Sequence, residues 1–176
     1  MHAMTTRLVR LYESAPQETL SAGDAWYASA RAAARDMARE HGTTQAVAAG
    51  VIAALSPRIR WVRNLAVARL ALAGKKVTGV FKNNLAKARR IIAGEKPLGV
   101  LSGPKTRAFY RAIMGDESAA VIDVWMLRAV NYAKYKLRDH EYNRITSALA
   151  RAAHVVGTTI ARLQAVVWAV VRGRAT

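Results

Sequence analysis

Apolar residues recur every three or four positions in a series of short segments. Nearly every segment is bounded by a glycine, a proline or a residue able to cap a helix. That punctuation restricts the chain to short amphipathic helices. Ser21 is placed to cap a helix through Trp26 and Met37 that stops at Gly42, and Thr43 or Thr44 to cap the apolar run Val47 to Leu55, which Pro57 ends. A third run sets Trp61, Leu65, Ala68 and Leu72 on one stripe with Arg60, Arg63 and Arg69 between them, and closes at Gly74. After Thr78 a fourth run aligns Phe81, Leu85, Ala88 and Ile92, leaving Lys82, Lys87, Arg89 and Arg90 off the stripe. Beyond Gly94 come a loop at Pro97, a turn at Ser102-Gly103-Pro104, a helix from Lys105 to Met114, a break at Gly115-Asp116 and a helix start near Asp123. Asp139 is placed to cap a long helix to Val156, and Thr158 or Thr159 to cap a last one carrying Leu163, Val166, Val167 and Val170.

No segment alternates as a strand would, and there is no repeat, low-complexity tract or long linker. The expectation is an all-α fold, residues 1–176 forming one domain or one domain in two lobes.

Charge narrows the partner. Against 11 Asp+Glu stand 28 Lys+Arg, a formal net charge of +17 and a pI near 11.2. A polyanion is the natural counterpart of such a surface, although a GC-rich genome would also raise the arginine content. The absence of cysteine excludes disulfides, thiolate zinc sites and cysteine-ligated iron–sulfur clusters. Met1 to Tyr12 lacks the apolar run of a signal peptide, and Leu163 to Val171 falls short of the roughly 20 residues that cross a bilayer. A cytoplasmic protein without membrane contact, favoured as a monomer, is expected. There is no glycine-rich phosphate loop, and His2, His41, His140 and His154 lack metal-ligand spacing.

One acid stands apart from the other carboxylates. Asp123 lies in Val121-Ile122-Asp123-Val124-Trp125, an apolar run leading into a helix. Such a carboxylate either caps the helix, accepting backbone N–H groups at the positive end of the dipole, or stands partly desolvated at a cleft where its charge acts on a nearby cation.

The segment Leu101-Ser102-Gly103-Pro104-Lys105-Thr106-Arg107-Ala108-Phe109-Tyr110, then Gly115, then Val121 to Arg128, resembles the signature of the helix-hairpin-helix DNA glycosylase superfamily of the endonuclease III type. That signature is a Leu-Pro-Gly-x-Gly-x-Lys-Thr hairpin followed by a Val-Asp-x-His-x-x-Arg helix start. Asp123 follows Lys105 by eighteen positions, the family's spacing between catalytic lysine and aspartate, and Arg128 falls at the family's helix arginine. Upstream, Val51-Ile52-Ala53-Ala54-Leu55-Ser56-Pro57-Arg58 is similar to the family's helix ending in Leu-Ser-x-Gln, whose loop fills the gap left by an extruded base. The resemblance covers about residues 45–170, with the hairpin near 101–106. The chain also bears a likeness to bacteriophage proteins.

The resemblance implies a double-stranded DNA partner and cleavage of an N-glycosidic bond. Asp123 would stabilise the positive charge that develops on the sugar, and Lys105 would act as a Schiff-base nucleophile or as a plain phosphate contact. Arg58 would be the plug. The DNA-binding set would comprise Arg58, Arg60, Trp61, Arg63, Ser102, Gly103, Lys105, Thr106, Arg107 and Arg128, with Trp61 and Tyr110 the aromatics best placed for exposure. No cofactor is implied beyond a monovalent cation at the hairpin. The sequence departs from the pattern in a shorter hairpin and in Trp125, which replaces the family's histidine. A non-catalytic protein occupying host or phage DNA on the same scaffold is the alternative, and a basic helical protein that binds RNA or an acidic protein is a third reading.

Overall fold

The computed structural model describes residues 2–134 and 136–173. Ten helices and no strand occur among these described residues: α1 His2–Glu13, α2 Gln17–Glu40, α3 Gln45–Leu55, α4 Trp61–Leu72, α5 Lys82–Ile92, α6 Pro97–Val100, α7 Pro104–Met114, α8 Val124–Ala129, α9 Asp139–Val155 and α10 Ile160–Gly173. The all-α class read from the spacing holds. Local chemistry accounts for most boundaries. Thr44 caps α3 by accepting the Val47 N–H at 3.2 Å, and the Thr159 hydroxyl accepts the Arg162 N–H at 3.2 Å at the start of α10. Gly115 ends α7 in the left-handed region, φ 103°, where a side chain would be strained.

Four expectations change. Ser21 lies inside α2, because Pro16 opens the helix a turn earlier and accepts from Thr19 and Leu20. Asp139 is the first residue of α9 and not its cap; Glu141 reaches back to accept the Arg138 N–H at 2.8 Å. The Pro97 loop is the short helix α6, and α1 occupies an N-terminal stretch for which no helix was expected.

The chain forms two compact units. Unit 1 holds residues up to Ala28 and from Asp116 onward, and unit 2 holds Ser29 to Gly115, so α2 begins in one and ends in the other. The first unit is discontinuous in sequence.

Unit 2 is built around α3, whose residues 48–55 are all buried and apolar apart from Gly50. A helix apolar all round needs neighbours on every side, and α4, α5, α6 and α7 supply them. Gly50 permits the closest approach: a Cβ there would lie 2.9 Å from Pro97 Cγ and 3.2 Å from an Ile91 methyl. On α4 the buried face is Asn64, Val67, Ala68 and Ala71, with the Asn64 amide donating to the Ile52 carbonyl at 3.1 Å. Trp61, Leu65 and Leu72 of the expected stripe flank that face, half-buried. On α5 the stripe is displaced as well, since Ala88 and Ile91 are buried whereas Phe81 is 50% exposed.

Unit 1 packs α1, α8, α9 and α10 around Leu8, Leu11, Met126, Leu127, Ile145, Leu149, Leu163 and Val167. Two buried polar residues organise its loops. Gln164 accepts the Val121 N–H at 2.7 Å and donates to the Tyr27 hydroxyl at 2.8 Å and the Ala119 carbonyl at 3.3 Å, so the cost of burying an amide is offset. Burial holds the Tyr27 phenol well above its usual range. Glu141 accepts from the Arg138 N–H at 2.8 Å, the Tyr132 hydroxyl at 2.7 Å and Lys134 Nζ at 3.1 Å. Those three donors, led by the backbone N–H, lower its carboxyl pKa to about 2. No single helix among the described residues is long and apolar enough to cross a membrane.

Candidate nucleic-acid interface

The two units divide the charge very unequally. Unit 2 carries 17 Lys+Arg against 3 Asp+Glu, a net +14, whereas unit 1 carries 11 against 8, a net +3. Moreover, each of the three carboxylates in unit 2 is engaged by an arginine: Asp36 by Arg39, Glu40 by Arg69 at 3.0 Å and Glu95 by Arg90 at 2.7 Å. From position 41 to 94 the chain has no carboxylate at all. A surface of one sign on a low-dielectric body raises the local concentration of anions and speeds their approach.

Part of this surface is built from the loop after α3 and the loop before α5. Arg58 is exposed at φ 63°, a left-handed conformation unfavourable for arginine. Its guanidinium lies 5.9 Å from the Phe81 ring centroid. Arg60 precedes the first turn of α4 and Arg63 lies within it, and both are exposed. Arg63 Nη2 donates to the Thr78 carbonyl at 3.3 Å, and its guanidinium covers Gly79, where φ is 73°. This strap holds the 75–81 loop beside the start of α4. Trp61 turns inward, its ring edge-to-face with Phe109 at 6.3 Å, and Tyr110 is half-buried, with a phenol raised by desolvation. Of the aromatics in this unit, the exposed one is therefore Phe81. Periodicity assigned that ring to the core because it counted the helix from position 78; α5 begins at Lys82, which leaves Phe81 as its uncapped lead-in.

The expected hairpin is a turn between α6 and α7. Leu101 is buried, Ser102 and Gly103 are exposed, and Gly103 turns the chain at φ 83°. Lys105, Thr106 and Arg107 follow in the first turn of α7, Lys105 and Thr106 half-buried and Arg107 exposed. The Lys87 ammonium donates to the Ser102 hydroxyl, which gathers a cation from α5 onto the turn.

Asp123 and Arg128 belong to unit 1, whereas the nine other DNA-binding candidates, Lys105 among them, belong to unit 2. Asp123 caps α8: Oδ1 accepts the Trp125 N–H at 2.9 Å and the Met126 N–H at 3.0 Å. Its second oxygen accepts the Trp168 indole N–H at 3.0 Å. The capping role read from the sequence is present, and the side chain stays partly exposed. Arg128 is exposed, with its guanidinium stacked 4.5 Å from the centroid of Trp125.

Among the described residues no three histidine or carboxylate side chains gather as metal ligands, and the side chain of His2 lies outside that description. Neither the curated proteins nor the solved structures contain a match to this chain. A family model does match, over residues 1–175, and the chain belongs to that family, the family of unknown function DUF7178.

Proposed function

We propose that this protein binds double-stranded DNA through unit 2. The observation that carries the reading is the net +14 confined to residues 29–115, with all three of that unit's carboxylates engaged by arginines. Neutralising phosphates releases condensed counterions, so affinity should fall steeply with salt, with a log–log slope of about −0.9 per phosphate contacted. Titrating a labelled duplex across a salt series tests this directly. The expected slope corresponds to several phosphates, and replacing Arg60 by alanine should lower it by roughly one contact. A flat salt response refutes the proposal. Occupancy of DNA without turnover is sufficient for this reading.

A second reading, cleavage of an N-glycosidic bond, is favoured by one feature. Asp123 stands at a helix start and stays partly exposed, as the resemblance to the glycosylases requires. In such a reaction the carboxylate would stabilise the sugar cation as the base leaves with its bonding electrons; the Lys105 amine would add to that carbon and give up a proton, and the carbon's bond to the ring oxygen would then break, the oxygen taking the electron pair and a proton, to leave a Schiff base on the opened sugar. Borohydride should then trap the protein covalently on damaged or abasic duplex, and Lys105→Ala should abolish trapping. Absence of any trapped or cleaved product across a panel of modified duplexes sinks this reading and leaves the first intact.

A further inference from the structure

We infer that Phe81, with Arg58 beside it, is a stacking platform for an unpaired nucleobase, so that unit 2 holds DNA more tightly where a base is out of the double helix. The inference rests on the DNA-binding reading and names the feature of DNA that the site prefers.

Three observations point to it. Phe81 keeps 50% of its surface exposed at the lead-in to α5, although the same helix buries Ile91 completely. Its position is held, because Arg63 bonds the Thr78 carbonyl and covers Gly79 two residues before the ring. Arg58 is kept exposed in a strained backbone conformation with its guanidinium 5.9 Å from the ring centroid, and strain retained at an exposed cation marks a position serving more than the fold.

The chemistry selects the occupant. An apolar protein surface would find Phe81 set beside Arg58 and Lys82, whose charges it would have to desolvate. A nucleobase has a π face for the ring, and the phosphates on either side of it meet Arg58, Arg60 and Lys82 in a stretch of chain without carboxylates. Intact duplex offers the ring no free face, so the platform adds affinity only where a base is unstacked.

The test uses the full chain and fluorescence anisotropy with three probes of one sequence: intact duplex, the same duplex carrying a single unpaired thymine, and the single strand. Wild type should favour the bulged duplex over the intact one. Phe81→Ala should weaken binding to the bulge and the single strand by roughly 5- to 150-fold, the range of one lost base–aromatic stack, and leave intact-duplex affinity unchanged. Phe81→Tyr should retain the preference and Phe81→Leu should lose it, since leucine keeps the apolar volume without the π face. Circular dichroism of the variants should match wild type, because the ring is half exposed. Steep, salt-dependent duplex binding with no preference for the bulge, or a Phe81→Leu variant that binds as wild type does, overturns the platform alone. A stronger preference for single-stranded RNA of the same sequence overturns it in favour of an RNA partner. Failure to bind any DNA at low salt overturns both this inference and the reading beneath it.

Discussion

Replacing Asp123 separates the structural work of this carboxylate from any chemical work. The side chain accepts three hydrogen bonds, two from the backbone of α8 and one from Trp168. Loss of an N-cap costs about 0.5–2 kcal/mol, and α8 has only six residues to share the effect. A stranded indole donor adds about 1–3 kcal/mol when fully buried; Trp168 is half-buried, so water relieves part of this and the low end applies. Asp123→Ala should therefore destabilise the fold by roughly 1.5–3 kcal/mol. Asp123→Asn keeps a capping oxygen but loses the charge at the helix start, about 0.3–1 kcal/mol, and turns an amide donor toward the indole, for a total of roughly 1–2 kcal/mol. Urea unfolding at pH 7 measures both, and a double-mutant cycle with Trp168→Phe isolates the indole bond, with a coupling of about 1 kcal/mol expected. Affinity for intact duplex should not fall in either variant, because Asp123 lies outside the basic unit. A cost for Asp123→Ala below about 0.5 kcal/mol would refute the capping argument, and additivity with Trp168→Phe would refute the indole bond. If a substrate is turned over and Asp123→Asn cuts the rate by orders of magnitude with stability intact, the carboxylate is catalytic.

The other predictions concern the acid limit and the plug. Glu141 titrates at about 2 in the folded chain against an ordinary 4.5, so the stability it contributes is fully present above about 4.5 and lost as pH falls toward 2. Denaturant midpoints across that window should drop less for Glu141→Gln than for wild type; identical pH profiles would show that its three donors do not select the ionised form. Arg58→Ala should weaken binding to duplex with an abasic site or mismatch more than to intact duplex, because only the former has a gap to fill, and gel-shift titrations on the paired substrates decide it. Equal losses would make Arg58 a phosphate contact.

The sequence alone determined what short-range chemistry determines. Thr44, Asp123 and Thr159 cap helices through bonds to N–H groups two or three residues away, and Gly115 ends α7 by a backbone angle that glycine adopts freely, so each could be read without knowing the fold. The all-α class and the excess of positive charge are legible for the same reason. Competing local signals account for the misplaced starts: Pro16 opens α2 before Ser21, and Glu141 makes the bond expected of Asp139. Only the tertiary structure decided which side of each amphipathic run faces inward. An apolar stripe gives the width of a buried face and not its centre, which depends on what packs against it. On α4 that choice buries Asn64 and leaves Trp61 at the edge, and on α5 it buries Ile91 and exposes Phe81. The partition of charge was hidden for a related reason. Residues up to 28 join those from 116 onward through contacts between distant segments, and that pairing concentrates +14 of the +17 in the stretch between them. Local spacing carries no record of which distant segments bury one another's apolar surface, so the basic unit emerges only once the chain has folded.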